Sequence, residues 1–335
     1  MREPYNRVFI SFGPFTIYWY AVFIVSGIVL GYFIASKRAK KEGISEDVIS
    51  DLLLYGLPVS IISARLYYVF FELDSYIRNP VDILKVWEGG LAIHGGLIGA
   101  VATGVIYCRK KNLSFWKVAD IVAPSIVIGQ IIGRWGNFMN QEAYGGEISR
   151  EALKGFLLPN FIVNQMYIDG AYRQPTFLYE SLWNIGVLII LVLLIKRKTF
   201  NGQLFLVYII LYSIGRFWIE GLRTDSLMLT QNLRMAQVLS ISLIFSALLV
   251  YFYLKKIRRN TLMETILNYL PFLLLLICPI SMMFMHKGHG GHNHDKEEDH
   301  TKHTEANHEL ILLRKQTEQL KEEVSILKNL VKERI

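Results

Sequence analysis

The sequence predicts an all-α polytopic membrane protein, and three observations support that fold class. The chain of 335 residues is 52% hydrophobic. Its apolar residues are concentrated in runs of about 17–25 residues, the length that a helix needs to cross a ~30 Å hydrocarbon core. Its basic residues cluster at every second connection between those runs. Helices are the expected spanning elements because backbone in lipid must satisfy its own hydrogen bonds.

Eight apolar runs define the predicted membrane segments. Seven of them form a transmembrane core over residues 1–259, and the fourth is the shortest. The runs lie near Ile17–Ser36, Leu52–Phe71, Leu91–Tyr107, Val118–Ile132, Phe177–Ile195, Gln203–Glu220, Ala236–Leu254 and Ile266–Met285. The segment before the first run, Met1–Phe15, lacks the layout of a cleavable signal peptide, so we expect the first helix to act as its own insertion signal.

The net charge of +8 indicates membrane topology rather than binding to nucleic acid. Basic clusters follow the first, third, fifth and seventh helices. They are Lys37, Arg38, Lys40 and Lys41, then Arg109, Lys110, Lys111 and Lys117, then Lys196, Arg197 and Lys198, and finally Lys255, Lys256, Arg258 and Arg259. Because cytoplasmic loops carry an excess of Lys and Arg, these connections are predicted to face the cytoplasm and the N-terminus to lie outside.

Four other regions differ in composition from the seven-helix core. Residues 138–176 are a polar interruption that is long enough for a small periplasmic cap. Residues 260–285 form the additional apolar segment, which is predicted to be an eighth transmembrane segment. Residues 286–309 are a His-rich linker, either solvated or a weak binder of transition metals. Residues 310–335 carry a heptad pattern, which fits either a lone amphipathic helix or a coiled coil with a partner.

Polar residues from six predicted helices reach the same outer level of the membrane. They are Tyr18, Tyr20, Arg65, His94, Arg134, Glu180, Arg216, Glu220 and Arg223. Ionisable groups in a bilayer are costly and usually face a cavity, pair with each other or bind a substrate. One such residue is explained by a structural ion pair, whereas a set from six helices predicts a polar site near the outer leaflet.

The sixth predicted helix places Tyr212, Arg216 and Glu220 on one face, with Arg223 three residues further on. The alternative is an Arg–Glu ladder that only neutralises itself. Because two arginines outnumber one glutamate, we expect a net positive charge that is available to an anion.

The third predicted helix begins with small residues four apart, such as Gly95 and Gly99, which allow close helix packing. His94 precedes them and is the only histidine outside the tail. It is either a hydrogen-bonded residue at a helix start or a group for acid–base chemistry or thiol positioning.

The densest polar segment is 133–145, with the sequence GRWGNFMNQEAYG. We expect a helix that ends at Arg134 and turns into a polar loop. The guanidinium of Arg134 suits phosphate. Asn137 and Asn140 offer amide donors, and Glu142 can orient an arginine or a substrate hydroxyl.

This ordered run resembles the signature of the prolipoprotein diacylglyceryl transferase family. It agrees with the family pattern at Gly133, Arg134, Gly136, Asn137, Phe138, Asn140, Glu142 and Gly145. The likeness covers roughly residues 10–259. It also includes Trp19-Tyr20, His94-Gly95-Gly96, Gln174-Pro175, Tyr179-Glu180, and Tyr212 with Arg216.

The resemblance implies an activity in the bacterial cytoplasmic (inner) membrane. The diacylglyceryl group of phosphatidylglycerol would pass to the thiol of the lipobox cysteine in a prolipoprotein signal peptide, giving a thioether and glycerol phosphate. This is the first step of lipoprotein maturation, and it implies no metal and no diffusible cofactor. The catalytic residues expected from it are Arg134, Arg216, His94 and Tyr20. The expected substrate-binding set combines residues of the signature with polar residues predicted at the same depth in the membrane. It comprises Arg134, Asn137, Asn140, Glu142, Gly145, Glu180, Tyr212, Glu220 and Arg223.

This chemistry fits the residues. The acceptor thiol comes from the substrate, and both Cys108 and Cys278 lie in or beside apolar segments, where a packing role is favoured over a nucleophilic one. Arginines would stabilise the charge that grows on the leaving phosphate. Either His94 acts as the base, or the arginines lower the pKa of the thiol. A transporter that uses the buried arginines is the alternative function, and a scaffold organised by the heptads is a weaker one.

Overall fold

The computed structural model describes residues 5–13, 15–225, 228–230 and 233–257. In chain order, its elements are β1 (Val8–Phe12), β2 (Phe15–Tyr18), α1 (Trp19–Lys41), α2 (Asp47–Phe71), α3 (Leu73–Arg78), α4 (Ile93–Lys110), α5 (Phe115–Asn140), α6 (Arg150–Gly155), α7 (Asn160–Gln165), β3 (Tyr167–Ile168), β4 (Ala171–Tyr172), α8 (Thr176–Ile195), α9 (Gln203–Glu220), β5 (Met228–Thr230), β6 (Leu233–Arg234) and α10 (Met235–Ile257). Each sheet is a two-stranded hairpin. The protein is therefore mostly helical, as expected.

Among the described residues, seven long helices coincide with the seven apolar runs of the predicted core. Six of them (α1, α2, α5, α8, α9 and α10) are long and apolar enough to cross a membrane. In α4, glycines, His94 and the basic residues Arg109 and Lys110 lower the hydropathy. The class of polytopic α-helical membrane protein is confirmed. The eighth apolar run and the whole tail lie outside the described residues.

Helix α5 is longer than predicted. We expected an apolar run near Val118–Ile132 and a helix end at Arg134, whereas α5 continues to Asn140, so the first half of the signature is helical. The prediction was wrong because the last two turns of α5 are too polar to register as an apolar run. The helix ends where Gln141 adopts the left-handed conformation, with φ +54°.

Helix α5 lies at the centre of the bundle and packs antiparallel against α1. A Cβ on Gly27 of α1 would lie 3.3 Å from the Cα of Gly129. A Cβ on Gly136 would lie 2.6 Å from the ring of Tyr20, so this glycine is what lets Tyr20 pack against the signature helix. We call the end of the bundle that carries residues 133–145 the signature end.

Helices α2 and α4 form a second close pair, as the small residues predicted. A Cβ on Gly95 would lie 2.4 Å from the backbone oxygen of Ser63, and one on Gly99 would lie 2.6 Å from the hydroxyl of the same serine. Both distances are too short for any side chain. The glycines of α4 therefore set how near the two helices approach, and this expectation is confirmed.

The basic connections that the structure describes meet at the opposite end of the bundle, which we call the basic end. There the fully buried Asp120 accepts hydrogen bonds from the backbone N–H groups of Gly202 (2.8 Å) and Phe205 (3.0 Å). The Nζ of Lys198 lies 3.5 Å from Asp120 and 3.6 Å from Glu42. These contacts join α1, α5 and the start of α9, so the bundle is tied together at its basic end.

Residues 138–176, predicted as a cap, contain α6, α7 and the β3–β4 hairpin. They build a small core of their own, in which Leu153, Ile162 and Val163 are buried with Phe138 of α5 and Phe177 of α8. The segment therefore holds the end of α5 close to the start of α8, where Glu180 lies.

Candidate active site

The site is built around the carboxylate of Glu180, which lies near the start of α8 and is 5% exposed. Its Oε2 lies 2.6 Å from the Nε of Arg134 on α5. Its Oε1 accepts a hydrogen bond of 2.9 Å from Arg216 on α9. One buried carboxylate thus binds two arginines from two other helices, and charge-assisted hydrogen bonds of this kind are among the strongest in proteins.

Arg216 has a second carboxylate partner in Glu220, one turn further along α9. The Nη2 of Arg216 lies 2.6 Å from Oε2 of Glu220, which is 4% exposed. Arg234, immediately before α10, donates a hydrogen bond to the backbone carbonyl of Glu220. The Arg–Glu ladder on α9 is therefore present, and α9 by itself carries no positive excess, contrary to our expectation.

Arg223 does not continue the polar face of α9, as we had expected, because α9 ends at Glu220. It binds Asp225 through Nε and Nη2, at 2.9 and 2.7 Å, and pairs with Gly145 in an isolated antiparallel bridge. Burial acts to raise the pKa of Asp225, but the bidentate pair with Arg223 outweighs it and holds that pKa below its ordinary value. The sequence analysis missed Asp225 because a loop residue shows no helical spacing. Its position two residues after Arg223 was nevertheless a signal for an ion pair.

The signature turn extends the cluster from Arg134. The Nη1 of Arg134 donates to Oδ1 of Asn137 at 3.3 Å, and Nδ2 of Asn137 donates to Oε1 of Glu142 at 2.7 Å. The side-chain amide of Gln141 donates to the backbone carbonyl of Gln165 at 2.8 Å, which fixes the turn to α7. Six predicted site residues therefore form one continuous chain of polar contacts, which runs through Glu142, Asn137, Arg134, Glu180, Arg216 and Glu220.

Gly145 is needed where three segments meet. A Cβ at this position would lie 2.8 Å from the Cβ of Gln174 and 3.0 Å from the carbonyl oxygen of Leu222. The N–H of Gly145 donates to the carbonyl of Gln174 at 3.0 Å. Its role is steric and positional: it lets the signature turn lie against the connection before α8 and the end of α9.

An apolar groove of about 580 Å³ begins at this cluster. Tyr20, Arg134 and Asn137 line it at the signature end. Below them its walls are mostly apolar faces of α1, α5 and the first turns of α2, with Ser125 and Gln130 of α5 as polar exceptions, and it reaches Ala35 and Ile49 near the basic end. A polar head above a long apolar channel matches the shape and polarity of an amphiphilic molecule.

Two residues of the predicted outer level make contacts elsewhere. His94 packs near Tyr67, with ring centroids 6.3 Å apart, and no described contact joins it to the arginine cluster. Arg65 is 5% exposed and donates to the backbone carbonyls of Asp82, Ile83, Gly89 and Gly90. Its placement in the polar site was wrong, because it holds the connection between α3 and α4 instead.

Tyr212 and Asn140 lie at the edge of the cluster. The ring of Tyr212 packs on Tyr208 at 5.8 Å, and the Tyr208 hydroxyl accepts a hydrogen bond from Gln130, which lines the groove. Asn140 ends α5, and none of the contacts described for the chain ties its amide to the cluster. Over the described ranges, no group of three or more His, Cys, Asp or Glu residues is placed to hold a metal ion.

The fold and the site together define a polytopic α-helical membrane protein with a polar cluster at the head of an apolar groove. Comparison with known proteins identifies the family. The family model for prolipoprotein diacylglyceryl transferase matches residues 7–253. The chain belongs to this family. A second model, for a protein family of unknown function, matches residues 243–299.

Several relatives are similar over most of their length, and each is named phosphatidylglycerol–prolipoprotein diacylglyceryl transferase. The protein from Halalkalibacterium halodurans is 54% identical over 253 residues, which cover 76% of this chain and 88% of the relative. The protein from Geobacillus kaustophilus is 56% identical over 242 residues, covering 72% and 90%. The protein from Bacillus cytotoxicus is 56% identical over 256 residues, covering 76% and 93%.

Proposed function

We infer that the chain is a transferase that moves the diacylglyceryl group of phosphatidylglycerol to the thiol of the lipobox cysteine of prolipoproteins. The reaction forms a thioether, releases glycerol phosphate and begins lipoprotein maturation. Relatives that are 54% and 56% identical carry this activity in their names. The structural observation that supports the proposal is that Arg134 belongs both to the buried ion-pair cluster and to the lining of the groove.

The arginines act on the leaving group. The thiolate sulfur of the acceptor cysteine attacks the glycerol carbon that bears the phosphate. The carbon–oxygen bond breaks, its electron pair passes to the phosphate, and glycerol phosphate departs. Charge therefore grows on phosphate oxygens, where preorganised cations stabilise the transition state. Arg134 contacts the phosphate, and Arg216 fixes Glu180, which in turn orients Arg134.

The nucleophile belongs to the acceptor. Cys108 is 1% exposed and packs in the apolar core near the basic end, away from the cluster. Cys278 lies outside the described residues. The thiol proton must leave before attack because the thiolate is the nucleophile. His94 lies apart from the cluster in this structure, which favours the arginine field as the group that lowers the thiol pKa.

The membrane arrangement is part of the proposal. The basic end faces the cytoplasm, because cytoplasmic loops carry the excess of Lys and Arg. The N-terminus and the 138–176 cap then lie outside, and the seven long helices form the core in the cytoplasmic membrane. The site reaches the outer leaflet, where both lipid-embedded substrates can enter laterally between helices.

The region after residue 259 is proposed to be an accessory to this core. It comprises the apolar segment 260–285, the His-rich linker 286–309 and the heptad segment 310–335, for which we propose a coiled-coil partner. Truncation after Arg259 should leave lipid transfer in detergent largely intact. A truncated protein that melts normally but does not transfer lipid would place the tail in the mechanism.

Transport is the weaker alternative. A transporter needs a polar path to the opposite face of the membrane. In the part of the chain that the structure describes, the lining of the groove toward the basic end is mostly apolar, with residues such as Ala35 and Ile49, and Ser125 and Gln130 are polar exceptions along the way. This observation favours a groove that holds an acyl chain over one that passes an ion.

The test is transfer of label from phosphatidylglycerol to a signal peptide by purified protein, with matched Arg→Lys variants. Lysine keeps the charge but loses the fork that Arg134 uses for Glu180 and phosphate, so Arg134→Lys should reduce transfer by at least tenfold. Arg216→Lys should also reduce it, through Glu180. Arg173→Lys is the control, because Arg173 pairs with the exposed Glu147 in the cap. Near-normal transfer by both site variants would contradict the proposed roles.

A further inference from the structure

A second pocket, of about 520 Å³, lies in the cap, and we call it the cap pocket. Its volume falls within the range of about 300–1,000 Å³ that is usual for small-molecule sites. Three segments build it: the N-terminal segment with Tyr5, α6 with Arg150 and Lys154, and α7 with Asn160 and Asn164. It shares no lining residue with the groove, so it is a separate place on the molecule.

Buried contacts hold the walls of the cap pocket in position. Gln165, the last residue of α7, lines the pocket and is 1% exposed. Its Oε1 accepts a hydrogen bond of 2.8 Å from the backbone N–H of Tyr5, and its Nε2 donates to the backbone carbonyl of Phe138 at 3.3 Å. On the side of α6, Leu153 is fully buried in the core of the cap. The N-terminal segment, α6 and α7 are therefore fixed to one another around the pocket.

The cap pocket carries two positive charges that its lining does not balance. Arg150 and Lys154 are four positions apart on α6, where like charges are neighbours and repel each other. Neither has an ion pair among the described contacts. Glu151 does not line the pocket, and Glu147 is paired with Arg173 at 3.2 Å. An anion in the pocket would relieve the repulsion between the two cations.

Amide groups on α7 add further hydrogen-bond donors. Asn160 and Asn164 are also four positions apart, so their side chains are neighbours on one face of that helix. Among the described contacts, neither side-chain amide has a hydrogen-bond partner. Guanidinium, ammonium and amide donors that line one pocket suit a ligand with several acceptor oxygens, and phosphate forms strong charge-assisted hydrogen bonds of this kind.

We propose that the cap pocket binds a phosphate group through Arg150, Lys154, Asn160 and Asn164. This inference goes beyond the transfer reaction and uses none of the residues assigned to it. Two sources offer the same chemistry: the headgroup of an anionic phospholipid and a free phosphate ester such as glycerol phosphate. The experiment therefore has one arm for each source.

Both arms are calorimetric titrations of the purified protein in neutral detergent at fixed ionic strength. One probe is glycerol phosphate, and the other is dihexanoyl phosphatidylglycerol. The double variant Arg150→Gln with Lys154→Gln should bind at least one probe about tenfold more weakly, because it loses both charged donors. The same loss should occur in an Arg134→Lys background, since Arg134 does not line the cap pocket.

The matched control is Lys255→Gln with Lys256→Gln, which removes two exposed charges at the basic end. It should bind both probes as the wild type does. Weaker binding of glycerol phosphate alone identifies a free phosphate ester as the ligand, weaker binding of the lipid alone identifies a headgroup, and weaker binding of both shows that the pocket accepts either. If the α6 double variant does not fold, Asn160→Ala with Asn164→Ala decides by the same titrations. The proposal is overturned if neither probe loses affinity, or if the control loses as much as the α6 variant.

Discussion

The replacement Glu180→Gln tests whether one carboxylate holds the two central arginines. Glu180 is 5% exposed and binds Arg134 and Arg216 at 2.6 and 2.9 Å. Glutamine has nearly the same shape, but it is neutral and offers only one acceptor oxygen. Arg134 then loses its only carboxylate partner among the described contacts, whereas Arg216 keeps Glu220.

The expected loss of stability in Glu180→Gln follows from the burial of the Glu180 carboxylate. Breaking a buried ion pair by removing one partner costs about 3–5 kcal/mol, because a charge is left without compensation. The side chains of Arg134 and Arg216 are 20% and 22% exposed, so water screens part of this cost and we expect about 3 kcal/mol. For soluble domains of 150–250 residues, each kcal/mol shifts Tm by about 2–4 °C, so a fall of roughly 6–12 °C is expected.

The assay is thermal unfolding in detergent, followed by lipid transfer at a temperature where the variant is folded. The control is Glu147→Gln, which makes the same chemical change at an ion pair 3.2 Å long whose carboxylate is 70% exposed. Surface pairs contribute about 0–1 kcal/mol, so this variant should melt within a few degrees of the wild type. Transfer by Glu180→Gln should fall by about a hundredfold as Arg134 loses its orientation.

Two outcomes would refute this reasoning. If Glu180→Gln and Glu147→Gln melt alike, the central carboxylate does not hold the arginines together. If Glu180→Gln is destabilised but transfers at the wild-type rate per folded molecule, Arg134 does not need Glu180 for its orientation.

Two further predictions concern the signature turn and the membrane topology. Gly145→Ala should destabilise the protein by about 1–3 kcal/mol, because its Cβ would lie 2.8 Å from a neighbouring side chain. The control Gly146→Ala has its nearest contact at 4.0 Å and should melt as the wild type does. Equal melting temperatures for the two variants would contradict the steric role of Gly145. In a background without native cysteines, an impermeant thiol reagent added from outside should label Arg150→Cys and not Lys40→Cys, and the reverse pattern would overturn the proposed orientation.

The sequence allowed the helical class to be predicted because lipid imposes a simple rule on composition. Apolar runs of sufficient length located the seven long helices of the described region. The same rule failed at the end of α5, since residues 133–140 remain helical although they are polar. Their helical conformation depends on tertiary contacts, such as Gly136 against Tyr20, that no hydropathy pattern records.

The candidate site was predictable in its main residues because depth in the membrane follows from helix direction. Arg134, Glu180, Arg216 and Glu220 were expected at one level, and the structure joins them in one chain of ion pairs. The prediction for Arg65 was wrong because the depth of a residue in the membrane does not reveal its hydrogen-bond partners. Backbone carbonyls of a loop satisfy it, and the path of that loop cannot be deduced from spacing.

The charge balance of the cluster gives a reason for the residues that sequence reasoning missed. The arginines that the described contacts place in the cluster are Arg134, Arg216, Arg223 and Arg234, and the carboxylates are Glu180, Glu220, Asp225 and Glu142, which Asn137 joins to Arg134. Four cations therefore face four anions. The two charged residues that sequence reasoning missed, Asp225 and Arg234, carry opposite charges, so they preserve the balance that the predicted residues already have. Because unpaired charge is costly at low dielectric, we expect such a balance in a cluster whose central carboxylates are buried.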